Sequence, residues 1–166
     1  MHEELRKIYP ETVNTIRIMA INRDGKTPKI MNAYMRIGSS KTGLTDNVAY
    51  GGVFCPVNIE DGHYHDGEQL HNHVITPCPN HPDTGALIDG YVPLWPEVKK
   101  MIEDICLIMP ELEYLGFDVA ITDKGVKVLE VNRHQDLHRA YAYGDEVQAF
   151  FKEKIELKKK RMGIKD

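Results

Sequence analysis

Residues 114–137, YLGFDVAITDKGVKVLEVNRHQDL, constrain the fold of this chain more than any other segment. Apolar and polar residues alternate on both sides of Asp123-Lys124-Gly125, and a period of two is typical of strands with one buried face. A short polar run that ends in glycine between two such stretches indicates a turn. The segment therefore predicts a β-hairpin.

Two loop lengths give this hairpin different registers. A two-residue loop would set Asp123 opposite Val126, which mixes apolar and polar side chains on both faces. A three-residue loop, with Gly125 in the left-handed conformation, sets Thr122 opposite Val126. The apolar face is then continuous and pairs Phe117 with Val131 and Val119 with Leu129. We therefore expect the three-residue loop.

In that register two carboxylates lie directly across the strand pair. Asp118 faces Glu130 with Cβ atoms roughly 5 Å apart, and Asn132 follows on the same face. Like charges so placed repel unless a cation neutralises them, and an all-oxygen ligand set suits Mg²⁺ or Mn²⁺. A solvated polar face would explain the same pattern without a metal ion. The residues alone leave both interpretations open.

A second hairpin is predicted in residues 13–37, where the strands VNTIRIMAI and KIMNAYMRI flank a turn at Asp24-Gly25. If the apolar residues of both strands share the core face, Arg17 and Arg36 share the other face. Bidentate guanidinium groups suit phosphate or acyl-phosphate oxygens. Ordinary exposed arginines on a half-solvated sheet are the alternative.

The remaining segments indicate one α+β domain with flanking helices. Trp95 begins a helix with Pro96 in its first turn, and Pro110 ends it. A second helix is expected from about Asp145 into the basic residues 158–161. Glycine-rich residues 38–52 predict a loop, and VFCPVNI (53–59) predicts a strand.

Residues 63–90, the histidine-rich segment, lack both the helical and the strand period, so we expect a surface excursion around short strands. His-Tyr-His (63–65) and His-Asn-His (71–73), with Cys78 and His81 nearby, suggest zinc. Their spacing fits no closed structural zinc pattern, and a flexible surface loop is the favoured interpretation.

Composition excludes some functions. A formal charge of −4 and a pI near 6.1 give no field for nucleic acid, and no apolar run reaches the roughly 20 residues of a membrane span. The three cysteines are an odd number at irregular spacings, and the N-terminus lacks the apolar region of a secretory signal. We expect reduced thiols in a cytoplasmic protein.

Taken together, these segments resemble the ATP-grasp enzymes, most closely the sugar-transfer-associated group found near polysaccharide genes. The likeness follows NTIRIMAINRDGK, MRIGSS, DNVAYGG, HPDTG, the helix at Trp95 and GFDVAITDKGVKVLEVNRHQDL. By matching motif it implies that Asp118, Glu130 and Asn132 hold the Mg²⁺ (or Mn²⁺) ions that bridge the ATP phosphates.

A looser motif shared with glutathione-synthetase-like and glutamate-ligase-like relatives matches Arg17, Arg36 and Asn47, followed by Gly51-Gly52. The resemblance implies that Arg17 and Arg36 are catalytic and contact the phosphoryl group, and that Asn47 joins Asp118 and Glu130 in binding the nucleotide. The two glycines would let backbone amides approach an anionic intermediate, or would form a plain turn.

The resemblance implies a largely antiparallel C-terminal subdomain spanning residues 1–166, with the N-terminal half absent. ATP and Mg²⁺ would activate a carboxylate as an acyl-phosphate, which an amine or other nucleophile attacks, in polysaccharide or cell-surface biosynthesis. The phosphate-contacting lysine and adenine hinge of the family have no counterpart here, so we expect the isolated chain to be inactive. A separate N-terminal half and a homo-oligomer are both candidate partners. A non-catalytic remnant acting as a binding or interaction module is the alternative function.

Overall fold

A computed structural model describes residues 1–133 and 144–164, and the chain divides into two compact units, residues 1–134 and 135–166. The described residues of the first unit form two helices, nine strands and a 3-10 helix at Val48–Tyr50. The helices are α1 (Glu3–Arg6) and α2 (Trp95–Ile108). The strands are β1 (Thr15–Ile21), β2 (Lys29–Ile37), β3 (Val53–Pro56), β4 (His63–Tyr64), β5 (Glu68–His71), β6 (Val74–Pro77), β7 (Gly90–Tyr91), β8 (Tyr114–Thr122) and β9 (Gly125–Asn132).

Seven of these strands form one antiparallel sheet in the order β6-β5-β3-β2-β1-β8-β9, and β4 pairs with β7 in a separate two-stranded sheet. The expectation of an α+β fold with a largely antiparallel sheet is confirmed. β1 lies between β2 and β8 although β8 follows it by more than ninety residues. The two predicted hairpins are therefore neighbours in the sheet.

One face of the sheet is apolar because β1, β2 and β8 each place every second side chain on it. Ile16, Ile18, Met35 and Phe117 are fully buried there, in one core with the buried face of α2. Burial of each such side chain contributes about 1.5–3 kcal/mol. The opposite face keeps the polar members of the same strands, so the core fixes which residues are left for a site.

The predicted loop of the β8–β9 hairpin is wrong. Thr122 pairs with Gly125, which leaves a two-residue loop, and Val119 pairs with Val128 rather than Leu129. The register then shifts between Val119 and Asp118. Leu129 is the extra residue of this bulge and is 58% exposed, so the apolar face is less continuous than expected.

Beyond the bulge, the register is the expected one. Asp118 pairs with Glu130 and Phe117 pairs with Val131. The bulge adds the one residue that the shorter loop removes, so the side chains that follow it return to the expected faces. Gly125 has the expected positive φ, at 105°.

Both predicted helices are confirmed. α2 begins at Trp95 with Pro96 in its first turn and ends before Pro110. In the second unit, α3 spans Gly144–Met162 and ends in basic residues. No helix among residues 1–133 and 144–164 is both long and apolar enough to cross a membrane.

The histidine-rich segment contains four short strands, β4 to β7, within the expected irregular excursion. β5 extends the main sheet by pairing with β3, and β6 forms its outer edge. Loop residues 38–52 contain the 3-10 helix and return the chain to β3. This loop ends at Gly52, where an added Cβ would lie 3.0 Å from the carbonyl oxygens of Ile37 and Asp46.

Candidate phosphate-binding face

The polar face of the main sheet brings three predicted site residues into contact. Arg17 on β1 lies directly opposite Asp118 on β8, and Arg36 on β2 pairs with Thr15, two residues before Arg17. Alternation on each strand directs all four side chains to the face opposite the apolar core. We call Arg17, Arg36 and Asp118 the arginine–aspartate cluster.

Both guanidinium groups bind the same carboxylate. Arg17 Nη2 donates a hydrogen bond to Asp118 Oδ2 at 3.1 Å, and its Nε is in ion-pair contact with Oδ1. Arg36 Nη2 donates to the same Oδ2, also at 3.1 Å. The side chains are only 16%, 17% and 9% exposed for Arg17, Arg36 and Asp118 respectively, so water screens these contacts weakly.

The pKa of Arg17 shows which electrostatic effect prevails. Burial lowers it, because desolvation disfavours the charged form. The charge and hydrogen bonds of Asp118 raise it by more, with smaller contributions from Tyr34 and Glu130, and the net shift is upward. The guanidinium group therefore stays charged, and Glu130 acts on it from β9, the strand beyond β8.

Glu130 and Asn132 carry further oxygen atoms on this face. Glu130 pairs with Asp118 and is exposed, whereas Asn132 pairs with Gly116 and is half-buried. Two carboxylates and an amide oxygen on adjacent strands fit the hard oxygen ligands of Mg²⁺. Within residues 1–133 and 144–164, no group of three or more His, Cys, Asp or Glu side chains is arranged to hold a metal ion.

In this structure, groups other than a metal ion offset the repulsion expected between Asp118 and Glu130. Arg17 and Arg36 place two positive charges beside Asp118 and neutralise it without a metal ion. Opposed carboxylates therefore do not by themselves require Mg²⁺. The metal assignment depends on the donor set and on the family motif.

Two residues of this face were not identified as candidates from the sequence. Thr15 Oγ1 accepts hydrogen bonds from Arg36 Nε at 3.0 Å and Nη2 at 2.8 Å. Asp46 accepts from the Thr15 N–H at 3.0 Å and from its hydroxyl, and its Oδ1 lies 3.4 Å from Arg36 Nη2. The alternation of β1 already indicated the face of Thr15, but no local pattern pointed to a loop aspartate.

Asn47 has a local role in the loop. Its side chain accepts from the Ala49 N–H at 2.9 Å and caps the 3-10 helix, and the residue is exposed. Asp46, the preceding residue, contacts Arg36 instead. The Gly51 N–H donates to Val48 and the Gly52 N–H to Asn47, so these two amides form a turn, as the second interpretation held.

The histidine-rich segment contains separate local contacts. His63 Nε2 lies 2.9 Å from Asp89, His65 Nδ1 lies 2.7 Å from Asp66, and the two rings are 4.9 Å apart. His81 is the exception because it is fully buried and stacks on Tyr9, with Nε2 2.7 Å from the Gly38 carbonyl. Its motif closes a turn rather than exposing a histidine.

A mixed α+β fold with a large antiparallel sheet and few helices is consistent with an ATP-grasp subdomain. The chain belongs to the sugar-transfer associated ATP-grasp family, whose model matches residues 1–153. No curated protein and no solved structure matches the chain. The family connects the chain to ATP and to ligase-like chemistry in sugar transfer.

Proposed function

We propose that this chain supplies the phosphate and magnesium contacts of an ATP-grasp ligase. The reaction transfers the γ-phosphoryl group of ATP to a small-molecule carboxylate, and an amine or another nucleophile attacks the acyl-phosphate. The family's association with sugar transfer supports a role in polysaccharide or cell-surface biosynthesis. The observation that carries the proposal is the convergence of Arg17 and Arg36 on Asp118 at one buried face.

In the proposed reaction, the two arginines stabilise the negative charge on the transferred phosphoryl group. Phosphoryl transfer spreads negative charge over the equatorial oxygens, and fixed guanidinium groups stabilise that charge best where water is excluded. Without nucleotide, Asp118 holds the N–H groups of Arg17 and Arg36 in place. A bound phosphate would accept some of these hydrogen bonds in place of Asp118. The N–H donors are therefore already positioned before the anion binds.

Asp118, Glu130 and Asn132 are the residues that would hold Mg²⁺ or Mn²⁺. The ion would neutralise charge on the phosphate oxygens. Glu130 and Asn132 offer oxygens at the side of the cluster away from Arg36, because β9 lies beyond β8 in the sheet. Asn47 remains a proposed nucleotide contact on its motif alone.

By its resemblance, we assign residues 1–166 to the C-terminal, metal- and phosphate-binding half of an ATP-grasp unit. All three cysteines are free, which supports a reducing, cytoplasmic setting. One sheet face holds one side of a nucleotide and leaves the transferring group open to water, where preorganised charges lose most of their value. We therefore expect this chain alone to bind ATP–Mg²⁺ weakly and to show no steady ligation.

Paramagnetic broadening by Mn²⁺ tests the metal assignment on the ¹⁵N-labelled chain, with and without ADP. We expect the amide signals of Asp118, Glu130 and Asn132 to broaden first, and Glu130→Gln to weaken the effect. Asp104→Asn removes an exposed carboxylate on α2 and is the matched control. Broadening centred on His63–His73, with none at the three residues, would refute the assignment.

Calorimetry with ATP–Mg²⁺ and an ADP-release assay over candidate carboxylates test the ligase proposal. Weak binding without turnover is the expected result. Micromolar affinity or steady turnover would show that the chain completes its own site. Absence of any ATP–Mg²⁺ binding would favour the non-catalytic interaction module.

A further inference from the structure

The Thr15 hydroxyl links Arg36 to a buried loop carboxylate. Its oxygen accepts from both Nε and Nη2 of Arg36, at 3.0 and 2.8 Å. A hydroxyl has one proton to donate, and here the proton goes to Asp46 Oδ2. The contacts form a relay from Asp46 through Thr15 to Arg36.

The relay fixes the plane of the guanidinium group. Nε and Nη2 form a fork on one oxygen, so rotation about the last side-chain bond would break two hydrogen bonds at once. Nη2 also donates to Asp118 Oδ2, which uses its second proton. Thr15 therefore sets how Arg36 faces Asp118.

Asp46 holds the hydroxyl in this orientation. Its Oδ2 accepts both the N–H and the O–H of Thr15, and its Oδ1 lies 3.4 Å from Arg36 Nη2. The side chain is 10% exposed, and burial of an acid requires such compensation. The carboxylate thus serves the sheet face although it belongs to the loop.

The loop is built to keep Asp46 there. Ser39 Oγ donates to the Gly51 carbonyl at 2.9 Å, closing the loop across its base. Gly52 packs so tightly that a Cβ would lie 3.0 Å from the Asp46 carbonyl oxygen.

We propose that Asp46 is a positioning residue that acts through the Thr15 hydroxyl to aim the Arg36 guanidinium group at the phosphate of the bound nucleotide. This inference rests on the proposed function, because it assumes that Arg36 contacts phosphate. Asp46 itself is directed at Thr15 and Arg36, not at the ligand.

The chemistry of the relay predicts which substitutions break it. Thr15→Ser keeps the hydroxyl, whereas Thr15→Val keeps the shape and removes it. Asp46→Asn replaces one carboxylate oxygen by an amide donor, which would face either the Thr15 donors or Arg36 Nη2. In both Thr15→Val and Asp46→Asn, the Arg36 guanidinium group should lose its fixed orientation although Arg36 itself is not substituted.

Two control substitutions make the same chemical changes, Asp to Asn and Thr to Val, at residues that do not contact Arg36. Asp83→Asn alters a carboxylate that accepts an N–H and an O–H from one residue, as Asp46 does. Thr42→Val removes a buried hydroxyl that donates to the Ser39 carbonyl in the same loop. Both controls perturb the loop and leave the relay intact.

The experiment measures two quantities in each variant of the purified chain. The first is the hydrogen-exchange rate of the Arg36 Nε–H signal in ¹H–¹⁵N spectra, assigned by its loss in Arg36→Lys. The second is the dissociation constant for ATP–Mg²⁺ from a chemical-shift titration. We expect Asp46→Asn and Thr15→Val each to raise the exchange rate and the dissociation constant by about tenfold, as for loss of one hydrogen bond to a charged group. Thr15→Ser and both controls should resemble the unsubstituted chain.

The outcomes separate this inference from the proposed function. Unchanged Arg36 exchange in Asp46→Asn and Thr15→Val would overturn the relay, and so would faster exchange with unchanged ATP–Mg²⁺ affinity. If the unsubstituted chain binds no ATP–Mg²⁺ but both variants raise the exchange rate of the Arg36 Nε–H, the proposed function fails and the positioning of Arg36 stands. Should Asp46→Asn not fold, the contrast between Thr15→Val and Thr15→Ser decides the question.

Discussion

The arginine–aspartate cluster and the histidine-rich segment handle charge in opposite ways. In the cluster, two guanidinium groups share one carboxylate; the three side chains come from three strands and are 9% to 17% exposed. In the segment, His63 pairs with Asp89 at 30% and 51% exposure, and His65 pairs with its own neighbour, Asp66. The first arrangement depends on the tertiary structure, and the second is mostly local.

This difference shows that the density of reactive residue types is a poor guide to a site. The histidine-rich segment has more potential metal ligands per residue than β1, β2, β8 or β9, yet His63 and His65 form only exposed pairs with aspartates. The cluster has three charged residues spread over about a hundred positions, and the sheet register brings them together. A candidate site is distinguished from a polar surface by charged side chains that converge and are buried, because burial excludes water and strengthens their interactions.

The largest effect should come from removing the shared carboxylate. Asp118→Ala removes the carboxylate that both largely buried guanidinium groups bind, and we expect the free energy of unfolding to fall by about 3–5 kcal/mol. Asp89→Ala removes an exposed partner of His63 and should cost less than about 1 kcal/mol. Urea unfolding of both variants measures the difference. Equal losses would erase the contrast between the two regions.

A smaller effect is expected on ligand binding. Arg17→Lys keeps the charge but loses the planar set of N–H donors, and we expect about tenfold weaker ATP–Mg²⁺ binding. The double substitution His63→Gln and His65→Gln should leave the affinity unchanged, because these rings lie outside the cluster. A chemical-shift titration of each variant provides the test. Weaker binding only in the histidine variant would move the site to the other region.

The pH dependence sharpens the comparison within the histidine-rich segment. Burial raises the pKa of Tyr64 to about 12 from its ordinary value of 10. Because the folded pKa exceeds the unfolded one, the stabilisation is present below pH 10 and is lost as the pH rises through 12. Tyr64→Phe should therefore flatten the decline of stability in that window. Tyr91→Phe, at a 63% exposed residue of the paired strand, is the control, and the same flattening there would contradict the assignment.

The smallest effect concerns the thiols and should leave stability untouched. Cys78 in the histidine-rich segment is half-buried, whereas Cys55 in the sheet and Cys106 in α2 are buried. Burial raises the pKa of all three, that of Cys106 to about 11. A thiol-reactive dye should modify Cys78 first and the other two only on unfolding. A fast phase that survives in Cys78→Ser would show that the sheet opens more readily than its packing suggests.

The local period of the sequence was enough to predict both hairpins, both long helices and the shared face of Arg17 and Arg36. It also predicted the Asp118–Glu130 pair, although through a wrong loop length. Hydrophobic alternation specifies the faces of a strand but not where one extra residue is inserted. It could therefore not predict the bulge at Leu129. The short α1 helix was also missed.

The sequence by itself determined which side chains face the core, because a strand alternates every two residues and a helix every 3.6. The tertiary structure decided which strands are neighbours, and so brought Arg17 opposite Asp118. It also carried Asp46 from an irregular loop to Thr15 and Arg36. Periodicity is local, whereas these contacts join residues 10 to 101 positions apart and depend on how the whole sheet packs its apolar face.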